Sequence, residues 1–158
     1  MDNKDINVNI SGKTFNSRAS ILIFNSLNNK FLVQKRIGDL VWALPGGKVQ
    51  IMEKTKDTIK REIKEEIGLD LIDVKMLSVS EKFFTFKNED IHQYIFTYSG
   101  KLVDKCYEKK EEFESIEKGK NVVYRWVDVE NIDDYEIRPD NVKEIIKGYL
   151  ENKILFFD

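Results

Sequence analysis

Glu62, Glu65 and Glu66 lie three and four residues apart in a stretch where Ile59, Ile63 and Ile67 recur at every fourth position. Apolar residues at that interval form one buried stripe of a helix. The same period places Glu62 beside both Glu65 and Glu66 elsewhere on the circumference. Like charges so placed destabilise an isolated helix by about a few tenths of a kcal/mol per pair. A divalent cation offsets that repulsion, and a hard one such as Mg²⁺ takes oxygen ligands: one or two carboxylates, waters and substrate phosphates. Taken alone, the same segment also describes a solvated charged face tempered by Lys60 and Lys64.

The rest of the composition narrows the chemistry to carboxylates. The chain has 158 residues, with 26 basic and 28 acidic side chains giving a net charge of −2. A single histidine, His92, removes metal sites built on several His or Cys ligands. A single cysteine, Cys106, forms no internal disulfide and favours a reducing compartment. The pI of about 5.6 argues against a dedicated nucleic-acid surface. No apolar run reaches the roughly 18 residues that span a bilayer, and the polar start is unlike a secretory signal. The expectation is one cytoplasmic domain over residues 1–158, away from membranes, with homodimer formation left open.

Several elements must hold the glutamates in place. Residues 1–12 read as an N-terminal arm or edge strand. Ala19–Phe24 and Phe31–Val33 read as strands joined by the Asn25–Asn29 turn, a hairpin signal. Gly38–Lys48 reads as a loop punctuated by Pro45, Gly46 and Gly47. The helix has Thr55 as its N-cap, Asp57 in its first turn and Gly68 as its stop. Val74–Val79 and Ile91–Tyr98 read as strands linked through Phe83–Phe86, and Val122–Val129 as another. Glu108–Lys120 is a mixed charge run, read as a solvated loop or short helix. A second helix over 139–151 starts at Pro139, a residue tolerated at the first helical position. Strands around two helices suggest an α/β fold with a mixed sheet packed between helices.

The spacing around the glutamates carries a resemblance. Gly47, five residues, Glu53, seven residues, then Arg61-Glu62-Ile63-Lys64-Glu65-Glu66-Ile67-Gly68-Leu69 fills every fixed position of the Nudix box. Trp42-Ala43-Leu44-Pro45-Gly46-Gly47-Lys48-Val49 is similar to the segment that leads into the box, and Tyr124-Arg125-Trp126-Val127-Asp128 to a strand late in the domain. Met52 departs from the glycine that often precedes the first box glutamate. The chain is identified on these residues as resembling the Nudix hydrolases.

That resemblance implies a Nudix-type α/β/α sandwich and hydrolysis of a phosphoanhydride in a nucleoside diphosphate linked to another moiety. It implies Mg²⁺ or Mn²⁺ held by Glu62, Glu65, Glu66 and the Gly46 carbonyl, with Arg61 and Glu53 as a clamp between loop and helix. A guanidinium matches a carboxylate in two parallel hydrogen bonds, which fits the clamp. Glu62 is the first choice of general base; Glu112, Glu114 and Glu117 are the alternatives and the candidates for an extra metal ligand. Val123 stands three before Trp126, where related proteins often carry an acid. Arg36, Trp42 and Phe83 are candidate contacts for a small-molecule nucleotide, and Arg18 a further phosphate contact. His92 reads as structural and Cys106 as inert. The alternative function is a nucleotide-binding Nudix-like module without catalysis, against which all four box glutamates speak.

Overall fold

The structure, a computed structural model, describes residues 4–157; the first three residues of the expected N-terminal arm lie outside them. Strand β1 (Asn7–Ile10) pairs antiparallel with β2 (Lys13–Ile23) across Ser11 and Gly12, both at positive φ. That backbone matches the right-handed twist of a tight hairpin. Asn7–Ile10 of the arm is thus an edge strand.

After β2 the chain runs through β3 (Lys30–Arg36), β4 (Trp42–Ala43) and β5 (Gly46–Lys48) into α1 (Thr55–Ile67). Strands β6 (Leu71–Phe86) and β7 (Glu89–Leu102) form a long hairpin. They are followed by β8 (Glu112–Glu114), β9 (Val122–Asp128), a 3₁₀ turn (Val129–Asp134), β10 (Ile137–Arg138), α2 (Val142–Leu150) and β11 (Leu155–Phe157).

The strands form two sheets. The larger runs β1-β2-β7-β6-β11 with β5 beside β2; the smaller runs β10-β4-β3-β9-β8. Both are mixed: β2 pairs parallel with β7, β11 with β6 and β10 with β4, and the other pairings are antiparallel. Side chains alternate across each strand, and the two faces supply two cores. Ala19, Ile21 and Ile23 of β2 and Leu32 of β3 join Ile59, Ile63 and Ile67 of α1. Leu22 of β2 and Phe31 and Val33 of β3 join Val142, Ile145 and Ile146 of α2. The sheets therefore lie between the helices, as an α/β/α sandwich requires.

Five local expectations are corrected. The turn at 25–29 exists and is closed by the Phe24–Phe31 bridge and the bond from Asn25 N–H to the Lys30 carbonyl, but β2 and β3 then part into different sheets, because β2 is zipped along its length to β7. Gly38–Lys48 is not all loop: Gly46–Lys48 pairs with Ser20–Arg18. Phe83–Phe86 is strand rather than connection; the turn is Lys87-Asn88, both at positive φ. Lys54, not Thr55, precedes the helix as its cap, with Thr55 Oγ1 bonded to Tyr98 Oη at 2.6 Å. The second helix spans 142–150, not 139–151, and Pro139 lies before it. Arg138 is extended and paired in β10, as the residue before a proline prefers.

Candidate active site

The site is assembled where α1, β5 and β9 converge. Buried isoleucines fix the rotation of α1, and that rotation turns Glu62 and Glu66 inward: both are buried, whereas Glu65 is exposed. At the helix end Gly68 takes the left-handed conformation at φ 83, and its N–H donates to the Lys64 carbonyl. Among the described residues no three acids, histidines or cysteines converge as a ready-made metal group. The three box glutamates on α1 supply two inward carboxylates and one that faces out.

Arg61 organises the loop against the helix. Its Nε donates to Glu53 Oε1 at 2.7 Å and its Nη2 to Glu53 Oε2 at 3.0 Å, a bidentate fork. Nη1 reaches Glu62 Oε1 at 2.9 Å and Glu65 Oε2 at 3.3 Å. Glu53 also accepts from the Gln50 N–H and the Thr58 hydroxyl. Burial raises the Glu53 pKa, but the Arg61 fork and these hydrogen bonds outweigh it, and the net shift is downward.

Glu62 lies against the backbone of β5, where a Cβ on Gly47 would come within 2.7 Å of Glu62 Cγ and closer still to its carboxyl. Gly47 therefore makes room for the carboxylate. Burial pushes the Glu62 pKa up, with Lys120 and Arg61 opposing and Glu66 adding to the rise. Its Oε2 is buried without a hydrogen-bond partner. Glu66 is fully engaged: the Tyr124 hydroxyl donates to Oε2, and Lys120 Nζ donates to Oε1 at 2.7 Å. The Tyr124 pKa is driven up by burial and by the Glu66 charge. The Lys120 ammonium also stands 3.6 Å from Glu62 Oε2 and 3.0 Å from Glu117 Oε2.

These carboxylates open into a cavity of about 720 Å³ that Gly46, Gly47, Arg18, Lys35, Arg36 and Lys48 help to line. A second cavity of about 520 Å³ adjoins it through Arg18, Val41 and Ala43 and runs between the sheets. Its walls include Phe84, Phe86, Ile95, Leu44 and Pro139. Arg18 stands between the two. Burial lowers its pKa, and Glu62 and Glu66 oppose that shift by favouring the charged form.

Some expected contacts lie elsewhere. Trp42 is buried in the α2-side core with Lys35 and Arg125 over its ring, so it has no free face for a base. Phe83 is exposed, stacked on His92 and lines a separate cavity, whereas Phe84 and Phe86, also partly exposed, line the inter-sheet one. Glu112 pairs with Arg125 at 3.1 Å and Glu114 is exposed, so of the three alternative acids only Glu117 approaches the site. Arg36 lines the carboxylate cavity. His92 bonds Glu81 at 2.7 Å, and Cys106 is free and exposed.

Sequence reasoning missed Tyr124 and Lys120. Tyr124 carried a usable signal, since it lies two residues before Trp126 and so on the same inward face of β9. Lys120 sits at the end of a run of charges and carried none.

The NUDIX domain family model matches residues 14–147. An RNA pyrophosphohydrolase of Pseudoalteromonas atlantica is 33% identical over 78 residues, covering 49% of this chain and 44% of that protein. Another from Blochmanniella floridana is 38% identical over 53 residues, 34% of each chain. The chain thus spans less than half the length of these curated relatives. Among solved structures, a NUDIX hydrolase from Nitrosomonas europaea aligns with TM-score 0.63 at 19% identity, covering 87% of this chain and 90% of that one. A MutT protein from Methanosarcina mazei Go1 aligns with TM-score 0.59 at 22% identity, covering 92% and 99%. At such identities these structures speak for the fold. Family match, fold and box together settle the affiliation: the chain belongs to the Nudix family.

Proposed function

We propose that this domain is a metal-dependent pyrophosphohydrolase acting on a nucleoside diphosphate linked to another moiety, with Mg²⁺ or Mn²⁺ as its cofactor. The observation that carries this reading is the pair of buried carboxylates, Glu62 and Glu66, opening into a cavity with a basic lining. The donor set fits a hard cation: carboxylates, a backbone carbonyl at Gly46, and an orphaned Glu62 Oε2. Glu62, Glu66 and the Gly46 carbonyl would hold the ion, and Glu65 would join by leaving its exposed contact with Arg61. The bound metal would supply charge neutralisation at phosphorus.

The chain's own groups do the rest. Arg18, at the junction of the two cavities, grips a phosphate oxygen, and Arg36 and Lys35 draw in the polyphosphate. Phe84 and Phe86 receive the nucleoside. Glu62, the acid between Gly47 and Lys120, serves as the general base that takes the proton of the attacking water. Arg61 and Glu53 hold the loop so that Gly46 and Gly47 keep their approach to Glu62. No helix of the described residues is long and apolar enough to cross a membrane. A cytoplasmic setting, which keeps exposed Cys106 reduced, is part of the proposal.

The test is a panel of nucleoside triphosphates, sugar nucleotides, dinucleoside polyphosphates and 5′-triphosphorylated or capped RNA, scored by phosphate or pyrophosphate release. Turnover should vanish in EDTA, return with Mg²⁺ or Mn²⁺, and fall about a hundredfold or more in Glu66→Gln, roughly 3 kcal/mol of barrier. Activity that survives exhaustive chelation refutes the assignment. Metal-dependent nucleotide binding without turnover points instead to a binding module.

A further inference from the structure

Lys120 occupies the middle of the carboxylate pair. Its ammonium bonds Glu66 Oε1 at 2.7 Å and faces Glu62 Oε2 at 3.6 Å, so it spans the gap between the two buried acids. A divalent ion held by Glu62 and Glu66 would take up the same gap. An ammonium and a metal ion in one gap repel strongly at the low dielectric of a buried site. They cannot both stay.

The surroundings show which one can leave. Glu62 and Glu66 are fixed by α1, and Glu66 is held further by the Tyr124 hydroxyl. Lys120, by contrast, projects from the segment between β8 and β9, and its side chain is 39% exposed. Gly119 before it lies in the left-handed region at φ 81 with open space where a Cβ would be. The root of the segment stays anchored, because Ile116 N–H and the Ser115 hydroxyl both donate to the Glu66 carbonyl. Glu117 lies 3.0 Å away on the same segment and would remain a partner for Lys120 once it parts from Glu66.

We propose that Lys120 is a built-in counter-ion, a positioning residue that holds Glu62 and Glu66 together in the metal-free protein and is displaced when the divalent ion binds. This rests on the reading of Glu62 and Glu66 as metal ligands. It makes metal binding an exchange of cations, in which the empty site stays ordered without a metal and affinity is lowered by the contact that must break.

The experiment is a calorimetric titration of Mn²⁺ into wild type, Lys120→Met and Lys120→Arg without substrate, with melting temperatures recorded in chelator and in Mn²⁺. Lys120→Met should bind Mn²⁺ about tenfold tighter or more, while Lys120→Arg, which keeps a cation, should bind no tighter than wild type. In chelator Lys120→Met should melt below wild type, and Mn²⁺ should close that gap. Equal or weaker Mn²⁺ affinity in a folded Lys120→Met overturns the inference, as does an equal gain in Lys120→Arg. If wild type and both variants bind no Mn²⁺ at millimolar concentration, the metal reading of the glutamates falls, and this inference falls with it.

Discussion

Substituting Gly47 by alanine tests the site with one methyl group. The new Cβ would lie 2.7 Å from Glu62 Cγ and nearer its carboxyl, where ordinary contact begins at 3.4 Å. The carboxylate must retreat by about 1 Å or more. Gly47 is not among the glycines at positive φ, so alanine fits the backbone and the strain falls on Glu62 alone. Misplacing a reactive group by about 1 Å can cost about a hundredfold in rate, near 3 kcal/mol. Glu62 would also lose its 2.9 Å bond from Arg61 Nη1, but relief of its repulsion with Glu66 and the smaller entropy of the unfolded alanine chain offset that loss. The expected outcome is kcat/KM down about a hundredfold with melting changed by only a few degrees. Gly46→Ala is the contrast, since its Cβ would strike the Ala19 carbonyl and stand 2.9 Å from Ser20 Cα, both backbone atoms. That variant should lose stability first. Gly47→Ala with turnover within about threefold of wild type, at saturating Mg²⁺, would refute the placement of Glu62 in the machinery.

Arg61→Ala should destabilise by about 2–3 kcal/mol, between the exposed and buried limits for ion pairs, because Arg61 and Glu53 are 25% and 16% exposed. Thermal melting should drop by about 4–12 °C, and an unchanged melt would show the fork to be idle. Glu53 has a folded pKa below its ordinary 4.5, so the stability it contributes is present above that pH and is lost as pH falls through the folded value. Glu53→Gln should therefore flatten the acid limb of a melting-temperature profile; an unaltered limb contradicts the fork. Phe84→Ala should raise KM about tenfold, the order of one stacking contact, while Phe83→Ala on the outer face should leave KM unchanged. The reverse pattern would move the nucleoside out of the inter-sheet cavity.

What the sequence disclosed follows from how local each signal is. Ile59, Ile63, Ile67 and Gly68 mark α1 because period and stop lie within one element. The pairing of Arg61 with Glu53 came from the resemblance of the box, and the single loop between them brings the two together. The hairpin expected at 25–29 failed for the opposite reason: what separates β2 from β3 is the long parallel pairing of β2 with β7, a partner about 75 positions away in the register Phe15↔His92. Phe83 and Phe84 have the same chemistry, and only the fold around β6 decides which of them lines the inter-sheet cavity. Lys120 was invisible because a lysine in a charge run has no period. Only the closure of β8 on β9 carries it to Glu66.

The partition into two sheets sets how the carboxylate cavity can breathe. Glu62 and Gly47 ride with the larger sheet, through α1 and the pairing of β5 with β2, whereas Tyr124 belongs to β9 of the smaller one. The Glu66–Tyr124 and Glu66–Lys120 bonds therefore cross the seam between the layers, as do the bonds from Ile116 N–H and the Ser115 hydroxyl to the Glu66 carbonyl. A slide of one layer past the other by an ångström or two would change those distances while every ladder within each sheet stays intact. Such shear between packed layers is an ordinary low-amplitude motion. The carboxylate cavity can thus change its width without melting any strand, and amide exchange along β2 and β7 would not register the change.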